Sequence, residues 1–256
     1  MKNYHMILCY DGTRYNGWQK QGNTENTIQD RLERILSEIA GTKIEVFGSG
    51  RTDAGTHAKG QSVSFHMDWQ NSPQDLCIAI NQKLPEDMGV LSLREVPPRF
   101  HARLSAKAKR YIYTIWTGDM PPVFYRKYSF WCKMPLDIAA MKRAAAQFVG
   151  THDFQSFCAN KRMKKSTVRT IYEITIQQKE NRLELHFYGN GFLYQMVRIL
   201  TGTLIEVGEG KRRPEDMAEI LAAKKREVAG FTAPAKGLCL EQVYYDTAGK
   251  DTKDTI

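Results

Sequence analysis

The stretch Lys109-Arg110-Tyr111-Ile112-Tyr113-Thr114-Ile115-Trp116 is dense in aromatic and β-branched residues and reads as a strand. Its position decides the fold, because it follows the Pro97-Pro98 break and restarts an element order that the chain has already run through once. In the first pass His5 to Tyr10 reads as a strand, and a helix follows with Thr27 as cap, Ile28, Leu32, Ile35, Leu36 and Ile39 on one face and Gly41 as stop. Strands at Ile44 to Phe47 and Gln61 to His66 come next, then a helix from Pro73 toward Leu84 and a strand at Val90 to Val96. In the second pass Lys109 to Trp116 leads into a helix at Leu136 to Phe148. Strands at Arg169 to Gln177 and Leu183 to Tyr188 flank the Glu180-Asn181 turn. A long helix at Phe192 to Val207, a short one at Pro214 to Ala223 and a last strand at Leu240 to Tyr245 complete it. The expectation is an α+β protein of two ferredoxin-like βαββαβ halves, residues 1–105 and 106–256, with sheets side by side and a catalytic cleft between them. Thr247 to Ile256 is polar and expected to fray.

Composition agrees with a folded chain: 256 residues, 42% apolar and 25% charged, is ordinary globular usage and excludes fibrous and disordered classes. No uninterrupted apolar run exceeds five residues, as in Met6 to Tyr10, where a membrane span needs about 18 to 20. The amino terminus lacks a secretory-type apolar stretch, so a cytoplasmic protein is expected. Cys9, Cys77, Cys132, Cys158 and Cys239 are widely spaced and form no CxxC pair, which predicts small core residues and no zinc or disulfide framework.

The net charge of +9 is unevenly placed: Met1 to Ser105 is neutral and the remainder carries the whole excess. It gathers at Lys107/Lys109/Arg110, Lys161/Arg162/Lys164/Lys165, Lys211/Arg212/Arg213 and Lys224/Lys225/Arg226. A single run of this kind is a solvated face, whereas four against a neutral half point to a polyanion such as nucleic acid.

The chemistry concentrates in Gly48-Ser49-Gly50-Arg51-Thr52-Asp53-Ala54-Gly55-Thr56-His57-Ala58, between two expected strands. Its glycines allow tight folding and close approach to a ligand, with Asp53 as the one carboxylate. The loop matches neither a phosphate-binding GxxxxGK[ST] nor GxGxxG, and His57 has no metal-ligand neighbour at helical spacing. GxSxG is also missing. Asp53 is then either the cap of an ordinary turn or a nucleophile for an electrophilic sugar carbon. For the second role a nearby cation, Arg51 or another arginine, would keep it ionised.

Gly50 to Ala58 resembles the GRTDxGVHA signature of the TruA family of tRNA pseudouridine synthases, with Thr56 where the pattern usually has the similarly shaped Val. Tyr10-Asp11-Gly12-Thr13-Arg14-Tyr15-Asn16-Gly17-Trp18-Gln19 is similar to the family's opening YDGTxYxGWQ. Phe100 to Arg103, Arg110 to Tyr113, Gly150 to Phe154, Gly191 to Arg198 and Ala233 to Leu238 follow its later blocks in order, so the resemblance spans almost the whole chain.

The resemblance implies the pseudouridine synthase fold and isomerisation of uridine to pseudouridine at positions 38, 39 and 40 of the tRNA anticodon stem and loop. It makes Asp53 the nucleophile, attacking C1′ of the ribose or C6 of the base. No cofactor or metal is needed, because the departing uracil is also what returns, through C5. The resemblance assigns Tyr111 to the target base and proton transfer at C5, Arg198 to pairing with the carboxylate, and Leu238 to the uracil site. Arg51 is expected to help expose the target nucleotide, with His57, Arg14, Lys164 and Lys165 as further RNA contacts. A homodimer in which one tRNA touches both subunits is implied as well. Two other readings fit parts of the pattern: a non-catalytic tRNA-binding or chaperone protein on the same scaffold, and a carboxylate-dependent hydrolase, which would want a second carboxylate.

Overall fold

The computed structural model describes residues 1–160 and 165–246. Thr247 to Ile256, expected to fray, and Lys161, Arg162 and Lys164 lie outside the described residues. The protein is α+β and divides into two compact units. One consists of Met1–Lys107 together with the strand that starts the final segment at Cys239, and the other of Ala108–Leu238.

In the first unit the elements run β1 (Lys2–Tyr10), α1 (Ile28–Ala40), β2 (Val46–Gly48), β3 (His57–Met67), α2 (Pro73–Lys83) and β4 (Met88–Val96). This is the expected βαββαβ order. β1 pairs antiparallel with both β3 and β4, and β2 pairs antiparallel with β3, giving the spatial order β4-β1-β3-β2. Tyr4, Met6 and Leu8 of β1 and Val63 and Phe65 of β3 are completely buried, so the pleat turns its apolar set onto the helices' Ile28, Leu32, Leu36, Leu76 and Ile80, also fully buried. Both helices start where the sequence marks them. Thr27 accepts from the Asp30 amide, and Ser72 and Asp75 form a reciprocal capping box ahead of Pro73.

In the second unit β5 (Ala108–Trp116) pairs antiparallel with β9 (Arg182–Gly189), which pairs with β8 (Val168–Lys179), which pairs with β7 (Gly150–Asp153). The two-residue β6 (Phe130–Trp131) lies parallel to β5. Helices α3 (Ile138–Ala146), α4 (Met196–Gly208) and α5 (Met217–Ala223) complete the unit. Strands β6 and β7 were not expected from the sequence; at two and four residues they are too short for alternation to register. Helix α4 begins four residues after the expected Phe192, because Gln195 sits in the left-handed region at φ 58° and interrupts any earlier helical path.

The final strand, β10 (Leu238–Tyr244), was expected to close the second half. It runs parallel to β3, with Cys239 opposite His57 and Leu240 opposite Ala58. Cys77, Cys132 and Cys158 are buried as small core residues, and Cys9 and Cys239 are half-buried. No helix among the described residues is long and apolar enough to cross a membrane.

Candidate active site

The glycine-rich loop occupies 49–56, between β2 and β3 in the first unit. It is clasped by the segment 10–19, which lies some forty residues earlier in the chain. The Trp18 amide donates to Thr52 O at 3.0 Å, the Gly55 amide donates to Tyr15 O at 3.3 Å, and the Tyr10 hydroxyl pairs with Thr52 Oγ1 at 2.8 Å. Two glycines make this approach possible. A Cβ on Gly12 would stand 2.0 Å from Thr56 O, and one on Gly17, which has φ +86°, would stand 2.7 Å from Thr52 O. From the other side Ser49 Oγ donates to Gln61 Oε1 at 2.7 Å, and Gln61 Nε2 donates to Gly50 O at 2.9 Å. The loop is therefore held at both ends and in its middle.

Within it Thr52 and Thr56 are buried, as is His57 at the start of β3, whereas Asp53 is half-buried. The Asp53 carbonyl accepts from the Thr56 amide at 3.0 Å, closing the turn behind the side chain. Arg51 is exposed, and its Nε donates to Gln19 Oε1 at 3.0 Å. His57, expected at the RNA surface, is 5% exposed. Its Nδ1 accepts from the Gly12 amide at 3.1 Å and lies 3.1 Å from Asp11 Oδ1. That makes it a brace between the two segments. Arg14 keeps an exposed guanidinium whose Nε and Nη2 donate to Asp87 Oδ2 at 3.0 and 2.7 Å, and that pairing pushes its pKa up.

A second interlocked set belongs to the other unit. Tyr111, on β5, is buried and meets Phe192 edge-on at 5.3 Å. Arg198 lies in the first turn of α4, where every residue but Arg198 and Glu206 is buried. Its Nε donates to Ala233 O at 2.7 Å, and the Ala233 amide donates back to Arg198 O at 3.1 Å. Tyr113 donates its hydroxyl to Pro234 O at 2.8 Å; burial pushes this phenol's pKa up, against the pull of Arg198. Leu238 is buried at the start of β10. The three sequence blocks that contain Tyr111, Arg198 and Leu238 thus pin one another.

The structure therefore gathers Asp53, Arg51, His57 and Arg14 in one unit, and Tyr111, Arg198 and Leu238 in the other. Lys165 is exposed, beside a cavity of about 510 Å³ shared with Lys224 and Lys225. Lys164 lies outside the described residues. The basic runs differ in character. Lys211, Arg212 and Arg213 each meet an acid, Glu209, Glu206 and Asp216 respectively, at 2.5 to 2.9 Å. Their charge is largely neutralised locally, which sequence clustering does not reveal. Lys224 is likewise paired with Asp153 at 2.9 Å. Among the described residues no group of three or more His, Cys, Asp or Glu is placed to hold a metal ion.

Sequence comparison bears on the same residues. The family model described as tRNA pseudouridine synthase matches residues 6–104 and 144–246, which include both interlocked sets except β5. A protein named tRNA pseudouridine synthase A from Bacillus sp. (strain KSM-64) is 46% identical over 245 residues, covering 96% of this chain and all of its own length. Its namesake from Halalkalibacterium halodurans is 48% identical over 239 residues, with 93% of this chain and 90% of its own covered. That from Geobacillus kaustophilus is 46% identical over 241 residues, with 94% and 93% covered. Matched across nearly its full length, and carrying a glycine-clasped loop with a single carboxylate, the chain belongs to the tRNA pseudouridine synthase family.

Proposed function

We propose that this isomerase converts uridine to pseudouridine at positions 38, 39 and 40 of the tRNA anticodon stem and loop, with Asp53 as nucleophile and Tyr111 and Arg198 as the other catalytic residues. The observation that carries the reading is the clasp. The segment 10–19 and Gln61 hold the loop from both sides, and Asp53 is the one carboxylate between buried Thr52 and buried Thr56. A nucleophile needs this combination of a fixed backbone and an accessible carboxylate.

In the proposed course Asp53 attacks C1′ or C6 of the target uridine. The bond from N1 to C1′ breaks, the uracil turns, C5 bonds to C1′, and the bond that Asp53 formed breaks to return the free carboxylate. The C5 proton leaves and N1 gains one, so the reaction is redox-neutral. Tyr111, buried and steadied edge-on by Phe192, supports the base and the proton transfer at C5, and Leu238 lines the uracil. A uridine stacked in a stem is out of reach until flipped out, at a cost of a few kcal/mol. Arg51 serves that step, and phosphate contacts from Lys164, Lys165 and Arg14 offset part of the cost. His57, being buried, contributes by holding the loop. The proposal includes a homodimer with one tRNA touching both subunits, working in the cytoplasm.

The test is pseudouridine mapping in tRNA incubated with pure protein. Asp53→Asn should leave tRNA binding within about tenfold while abolishing pseudouridine formation, because only the nucleophile is lost. Pseudouridine formed at the ordinary rate by Asp53→Asn would refute the assignment and favour a scaffold whose carboxylate is only a turn cap.

A further inference from the structure

A chain of polar side chains runs from the buried face of α1 to Arg51, and its hydrogen bonds have one direction throughout. It starts at Glu33, which is buried on α1. The Val46 amide donates to Glu33 Oε1 at 3.2 Å, Gln29 Nε2 donates to the same oxygen at 2.9 Å, and Lys20 Nζ lies 3.4 Å from Oε2. Every neighbour of this carboxyl is a donor. Gln29, one turn earlier, must therefore turn its NH₂ toward Glu33. Its carbonyl then faces the other way and accepts from the Lys20 amide at 3.0 Å and from Gln19 Nε2 at 2.7 Å. A backbone N–H can only donate, so the Val46 and Lys20 amides fix the polarity at both steps. Gln19 has no choice left: its NH₂ is spent on Gln29, and Oε1 is what it presents to Arg51 Nε, at 3.0 Å.

We propose that Gln19, oriented by Gln29 and Glu33, is a positioning residue for Arg51, which aims the guanidinium at a phosphodiester of the tRNA. The inference rests on the proposed role of Arg51 in exposing the target nucleotide. Nε is the one Arg51 donor engaged by protein among the described residues, which leaves the two NH₂ groups for a phosphate. A long exposed arginine without such an anchor would spread over many rotamers and lose that entropy on each binding event. The anchor is indirect but directional, and a side chain of the same size with the wrong polarity would undo it.

The test is a double-mutant cycle read in kcat/KM for pseudouridine formation on tRNA. Gln19→Met keeps the volume and removes the acceptor; Gln29→Met removes the orienting step. With Arg51 present, each should lower kcat/KM about fivefold, the worth of one ordinary hydrogen bond, mostly through KM. In the Arg51→Met background neither should have any further effect, and Tm should shift equally in both backgrounds. Unchanged kcat/KM in Gln19→Met, or the same loss with and without Arg51, overturns the proposal, as does wild-type kcat/KM in Arg51→Met. Asp53→Asn in the same assay keeps the two readings apart. Its loss of product upholds the catalytic assignment whatever the glutamines do, and its retention of product refutes that assignment independently.

Discussion

Gly12 illustrates how much one hydrogen atom in place of a methyl group can decide. Any Cβ there would fall 2.0 Å from Thr56 O, closer than atoms can come, and the neighbour is backbone that cannot rotate away. Gly12→Ala must push the 10–19 segment off the loop that carries Asp53. Displacement of a reacting group by about 1 Å costs on the order of 10²-fold in rate. We expect kcat for pseudouridine formation to fall by at least about that factor, with a lowered Tm. Initial rates measured on protein still folded by circular dichroism check this, and a wild-type rate would mean that the loop does not depend on the close approach. In the sequence this glycine is visible only as part of a motif, since nothing local to Tyr10 to Gln19 states that Thr56 will be its neighbour.

At the scale of elements, the β1–β3 pair buries a titratable group. His5 of β1 is 5% exposed, hydrogen-bonds through Nε2 to Ser62 Oγ of β3 at 2.6 Å, and stands 4.8 Å from Phe100 and 5.3 Å from Tyr245, ring to ring. Ser62 Oγ is also bonded to the Tyr245 hydroxyl. Burial first, and then the positive charge of Arg94, push the His5 pKa from 6.5 down to about 4. The unfolded chain therefore takes up a proton near pH 6.5 that the folded chain refuses until about pH 4, so stability declines as pH falls through that window. Urea denaturation at pH 7.5 and pH 5 should show the wild type losing about 2 kcal/mol more than His5→Gln. Equal losses would show that His5 does not carry the dependence. The α4 entry makes a related point at this scale. Apolar periodicity extends back to Phe192, yet Gln195 at φ 58° starts the helix at Met196 and puts Arg198 in its first turn. Tertiary contacts of Tyr111 with Phe192 and of Arg198 with Ala233 accompany that start, and side-chain periodicity cannot report them.

For the molecule as a whole, the proposed binding of tRNA rests on the sign and placement of charge. Binding should weaken steeply with salt, as each phosphate contact releases counterions. Replacing Lys161, Arg162, Lys164 and Lys165 by alanine should flatten the dependence of log Kd on log salt, by roughly one unit of slope for each phosphate no longer neutralised. Replacing Lys211, Arg212 and Arg213 should change the slope little, since each already meets a carboxylate. Filter binding across a salt series distinguishes the two, and a larger change from the second set would invert the assignment.

The sequence by itself determined the longer elements and their order, though not the short strands β6 and β7, because strand alternation, helix periodicity and caps such as Thr27 and Ser72 are local properties, written within a few residues of where they act. It also determined the chemistry-bearing blocks, since a loop with three glycines, one arginine and one carboxylate can be read in a line. Only the tertiary structure decided that His57 braces from inside, that β10 pairs with β3, and that Glu33 on a helix is linked by hydrogen bonds through Gln29 and Gln19 to Arg51 on a loop. Those outcomes depend on distances between residues far apart in the chain. They are settled by which atoms close packing brings within about 3 Å, a quantity that no local pattern contains.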